Sequence, residues 1–217
     1  MDIIYILTVL GVILISMTLH EVMHGFMAYW LGDDTAKLSG RLTLNPGKHI
    51  DPFMTLLLPL TIALINVTSG SRMPVFGGAK PVPFNPSKLK YGEWGAALVA
   101  LAGPFTNFLF AFVSFAVLAL FRPGADSALA LIFTTSTLVN LGFFIFNMIP
   151  LPPLDGSRVL YALAPEFVRR GMEAVERHGI LLVFAIVMIL NPVIMGIMRW
   201  GTGACIQLFS NIFGIPS

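Results

Sequence analysis

Long apolar runs alternate with turn-rich polar segments along the whole chain. The first run extends from residue 3 to about residue 31 and stops at Gly32-Asp33-Asp34. Residues 3–19 carry no charge, and a run that is apolar all round predicts a helix in a core or in a membrane. At ~1.5 Å per residue it reaches roughly 43 Å, more than the ~30 Å hydrocarbon core of a bilayer. Residues 33–52 form a polar connection containing Asn45-Pro46-Gly47 and Asp51-Pro52, both turn signals. Residues 53–67 are apolar but short and interrupted by Pro59, which fits a re-entrant or half-helix as well as a full span.

The pattern changes over residues 68–92, which are rich in Gly and Pro. Alternation at Val75, Val82 and Phe84 permits short strands there, which the prolines restrict to edges. Apolar runs at 93–121, with Gly103-Pro104 inside, and 127–149 flank the turn Arg122-Pro123-Gly124-Ala125-Asp126 and predict a helical hairpin. An amphipathic charged stretch, 166–178, leads into an apolar run, 179–200, broken at Asn191-Pro192. Residues 201–215 are apolar and short, and fit a partial span, a surface helix or an interface. The pattern predicts an all-α polytopic membrane protein, a bundle of about 4–6 transmembrane helices with a re-entrant or short segment and minor strand content in loops. It also predicts one domain over residues 1–217.

Composition sharpens this picture. The 217 residues are 56% hydrophobic and 11% charged, against about 25% charged in a soluble domain. A net charge of +2 without a basic aromatic patch argues against nucleic acid as a partner and leaves the lipid bilayer. The single cysteine, Cys205, cannot form an intrachain disulfide and reads as a packing residue. The start lacks a basic region and a small-x-small cleavage site, so it is not expected to be a cleaved signal peptide.

Candidate chemistry sits near the far end of the first run, at His20-Glu21-Val22-Met23-His24. On a helix, histidines four apart lie one turn apart on one face, which suits two ligands of one zinc ion with Glu21 beside them as general base. The bland alternative is a histidine pair buried in a bundle. Ionisable groups at membrane depth are costly, about 2.5–3.5 kcal/mol for a charged residue on insertion scales, so a cluster there points to a function. Catalytic zinc usually takes three protein ligands. Asp155, directly after an apolar run and framed by Pro152, Pro153 and Gly156, is the best third candidate. Its competing role is the N-cap of a helix starting at Gly156. His49 and His178 lie in polar stretches and read as solvated or interfacial.

A third ligand at Asp155 imposes a parity. Two crossings separate residue 92 from residue 150, so Asp155 meets His20 and His24 only if residues 32–92 make no net crossing. That topology leaves only Arg122 and Arg199 of the 13 Lys and Arg residues on the other side. By the positive-inside rule the His-Glu-x-x-His end then faces the cytoplasm and the N-terminus lies outside.

Taken together, His20-Glu21-Val22-Met23-His24 and the downstream Asn147-x-x-Pro150-x-x-x-Leu154-Asp155-Gly156 resemble the site-two protease family of intramembrane zinc metalloproteases. Gly40-Arg41-Leu42-Thr43-Leu44-Asn45-Pro46, Gly78-Ala79-Lys80-Pro81-Val82-Pro83 and Ala102-Gly103-Pro104-x-x-Asn107 are similar to its compact bacterial and archaeal branch, without a PDZ domain. The resemblance implies one zinc ion per chain held by His20, His24 and Asp155, with Glu21 polarising water. It implies that Asn147 contacts the scissile carbonyl or its oxyanion, and that the substrate is a transmembrane segment of another protein. Asn107 and Asn140 read as packing residues, and residues 68–84 as an edge to which an extended substrate could add. A divalent-metal transporter or membrane metal sensor using the same ligands is the alternative.

Overall fold

In the computed structural model, residues 3–52, 57, 61, 78–177 and 180–215 are described. Eight helices are found among them: α1 (Ile3–Trp30), α2 (Thr35–Leu38), α3 (Glu93–Phe121), α4 (Ala128–Asn147), α5 (Gly156–Leu163), α6 (Glu166–Arg177), α7 (Ile180–Ile189) and α8 (Asn191–Phe213). Helices α1, α3 and α4 are each long and apolar enough to cross a membrane. Their outer faces carry exposed large apolar residues, among them Ile4, Leu7, Leu10, Phe105, Leu109 and Leu120. Such a surface is soluble only in lipid, which makes the chain a multi-pass membrane protein.

Local chemistry sets the helix ends. Ser127 caps α4 by accepting a 3.1 Å bond from the Ala130 amide, the usual use of a serine before a helix. Arg122 closes α3 in the left-handed region, at φ 44°. The hairpin of α3 and α4 packs as the pattern predicts, and α1 lies against both. The end of α1 meets the start of α3: the Lys90 amide donates to Leu31 O at 2.9 Å, and Lys88 pairs with Asp34 at 2.8 Å. Residues 32–92 therefore return to the end they left, as the parity requires. Most of 53–67 lies outside the described residues, as do Val75 and His178.

Fully buried Asp33 ties this end together. Its carboxylate accepts from the Thr35 amide and hydroxyl and from the Asn85 amide. Burial pushes the carboxyl up, but those three donors and Lys88 hold it below the usual carboxylate range.

One expectation is corrected and one open alternative is answered. Among the described residues there is no strand: Val82 and Phe84 lie in irregular backbone, because Pro81 and Pro83 remove alternate ladder donors. The second concerns residues 201–215, which are no separate element. They continue α8, which starts at Asn191-Pro192 and runs to Phe213. Proline in a first turn leaves no helical bond unmade, so the Asn-Pro pair starts this helix after ending α7. Gly201 lets α8 approach Ile145 of α4, where a Cβ would come within 3.1 Å of its side chain. Fully buried Phe209 then stacks among Phe108, Phe112 and Phe115 of α3 at ring separations of 5.2–5.6 Å. Half-buried Cys205 packs in this cluster, as expected.

Candidate metal centre

His20 and His24 face α3 from the last two turns but one of α1, and Asp155 closes over them from the start of α5. Ligand atoms of the three side chains all lie within 4.8 Å of one another. The two Nε2 atoms are 3.0 Å apart, and Asp155 Oδ2 is 3.1 Å from that of His20 and 3.5 Å from that of His24. Asp155 makes no side-chain cap to α5, so the competing N-cap role is not the one adopted. Gly156 allows the turn, because a Cβ there would meet Met148 O at 2.4 Å.

The outer nitrogen of each ring decides its tautomer. His24 Nδ1 lies 2.7 Å from Val99 O, a carbonyl that can only accept, so Nδ1 carries the proton. The His20 assignment follows from a buried chain of amides. Asn140 Nδ2 donates to Ser136 O and to Ser16 Oγ, which leaves Asn140 Oδ1 to accept from Asn107 Nδ2 at 2.8 Å. Asn107 Oδ1 then faces His20 Nδ1 at 2.6 Å, so that ring also donates from Nδ1. Both Nε2 lone pairs are thereby aimed at each other and at a carboxylate. A cation between them makes that arrangement favourable, and two imidazoles with one carboxylate is a donor set suited to zinc.

Helix α3 leaves room for the ion by lacking a side chain. A Cβ on Gly103 would lie 2.5 Å from His24 Nε2 and 2.7 Å from His20 Cε1. Gly103-Pro104 is thus a close-packing point between α3 and α1. Asn107, read from sequence as packing, is the partner that orients His20. Its spacing of four from Gly103 puts both on the face of α3 toward α1, a signal the sequence contained.

The centre lines a cavity of about 490 Å³ that also takes in Glu21, Asn147, Val82 and Arg158. Glu21 accepts a 2.8 Å bond from the Val82 amide. Asn147 lies on the wall, with one amide proton bonded to Phe143 O at 3.0 Å and a second proton to offer. His49 is a correction: it is not solvated but 3% exposed, with Nε2 donating to Thr43 O at 2.8 Å.

The family model for peptidase family M50 matches residues 8–130 and 122–190. The chain belongs to peptidase family M50. It is 37% identical over 210 residues, 93% of this chain and 90% of the relative, to "Putative zinc metalloprotease YwhC" of Bacillus subtilis. It is 33% identical over 207 residues, 91% of this chain and 70% of the relative, to "Putative zinc metalloprotease Rip2" of Mycolicibacterium smegmatis. A shorter stretch of 62 residues is 47% identical to "Putative zinc metalloprotease MJ0611" of Methanocaldococcus jannaschii. No solved structure matches the chain. This M50 chain is therefore a metalloprotease, and the His20, His24 and Asp155 cluster fits its zinc ion. That membership displaces the transporter and sensor alternative.

Proposed function

We propose that this M50 peptidase hydrolyses peptide bonds in or beside transmembrane segments of other membrane proteins. The supporting observation is the convergence of three ligand atoms and a glutamate on one cavity at the end of three apolar helices. His20, His24 and Asp155 would hold the zinc ion, which would supply Lewis acidity to water and to a carbonyl. Glu21 takes the proton of the attacking water and returns it to the leaving amine. Asn147 donates its remaining amide proton to the developing oxyanion. A helical substrate hides its carbonyls in its own hydrogen bonds, so a short stretch unwinds before attack. The site faces the cytoplasm and the N-terminus the opposite side, a reading that the positive-inside distribution supports.

The test uses purified, zinc-loaded protein and a tagged single-span substrate in detergent micelles. Wild type is expected to cleave the substrate, and Glu21→Gln to keep its zinc and lose cleavage. Full activity of Glu21→Gln would refute the base assignment; zinc flux into liposomes without cleavage would refute the protease reading.

A further inference from the structure

The segment that bonds Glu21 is itself gripped from behind. Arg41, only 8% exposed, donates from one terminal nitrogen to Lys80 O at 2.6 Å and Pro81 O at 3.3 Å. His49 O accepts from the Lys80 amide at 2.8 Å. The Val82 amide goes to Glu21, and Pro81 and Pro83 have no amide proton. Every backbone donor of residues 80–83 is thus committed, so this stretch has none to offer an added substrate strand. Its role is turned inward, toward Glu21.

Burying a guanidinium is costly unless its bonds are strong. Here they end on two consecutive carbonyls, immediately before the one amide that reaches the cavity glutamate. Val82 precedes a proline, which restricts it to extended backbone. The next rigid step is therefore the Val82 amide itself. We infer that Arg41 is a positioning residue for Glu21, acting through the Lys80–Val82 backbone. This rests on the reading of Glu21 as the base. By fixing one carboxylate oxygen on Val82, the clamp leaves the other free for water, and the proton acceptor is held in place before substrate arrives.

The experiment measures kcat and KM for the tagged single-span substrate with zinc-loaded full-length variants. Arg41→Gln is expected to lower kcat at least about tenfold with KM changed less than about twofold, with zinc retained. Arg41→Lys, which keeps the charge and a donor on a shorter side chain, should fall between wild type and Arg41→Gln. Val82→Pro removes the amide proton and leaves Arg41 intact. It should reproduce the loss, and the double variant should be no worse than either single. This variant carries the test if Arg41→Gln does not fold. A kcat within about twofold of wild type in both, a change confined to KM, or additive losses would overturn the inference. Glu21→Gln in the same assay tests the base reading separately.

Discussion

The two halves of α3 serve opposite purposes. The half near the centre is built from small residues, Gly95, Ala96, Ala97, Ala100, Ala102 and Gly103, and then Asn107. They bring α1 close enough for His24 to reach the Val99 carbonyl and for His20 to reach Asn107. The far half presents Phe108, Phe112 and Phe115 to the aromatic end of α8. In lipid no hydrophobic effect drives helices together, so close approach by small residues and dispersion between large ones are alternative ways to pack. The first fixes positions within tenths of an ångström and tolerates no added atom. The second fills volume and can repack.

The contrast can be broken most sharply at Gly103. Gly103→Ala places a methyl 2.5 Å from His24 Nε2, and zinc affinity by chelator competition should fall more than about 100-fold, beyond what losing an outer hydrogen bond costs. Asn107→Ala is the next largest. It frees the His20 ring and should cost about 10–100-fold in zinc affinity while the helices stay packed. At the other end, Phe209→Ala removes a fully buried ring. It should lower the thermal midpoint in detergent, yet leave the zinc affinity of the folded protein within about threefold. Equal zinc loss at Gly103 and Phe209 would abolish the distinction.

The smallest effect belongs to the loop anchor. Asp33 has a folded pKa below its unfolded value of 3.8, so its contribution to stability is present above that value. It is lost as pH falls from about 4 through the folded pKa. Asp33→Asn should flatten the acid limb of the thermal midpoint and change little near neutral pH. An unchanged acid limb would show that the anchor contributes nothing.

Much of this was legible in the chain. The long runs gave α1, α3 and α4 almost to the residue, because a helix apolar on all sides needs no periodicity to be recognised. The cluster was legible because His20 and His24 share a helical face and Asp155 is the acid placed by topology. What escaped were relations between distant segments. The spacing of Asn107 from Gly103 sets its face of α3 but not its partner, a ring 87 residues away that it orients. His49 sits in a polar connection and reads as solvated or interfacial, and the bonds of Arg41 to Lys80 and Pro81 join segments some 40 residues apart. The strand expectation failed for a reason present in the sequence, since Pro81 and Pro83 deny the ladder its donors. Continuous α8 shows the converse, that an Asn-Pro pair can open a helix as readily as end one.

Zinc bound per chain, compared between Asp155→Ala and Glu21→Gln after dialysis against a weak chelator, separates the ligand from the base. One zinc per chain is expected in wild type and in Glu21→Gln, and loss of most of it in Asp155→Ala. Full zinc in Asp155→Ala, or its loss in Glu21→Gln, would contradict the assignment of ligand and base.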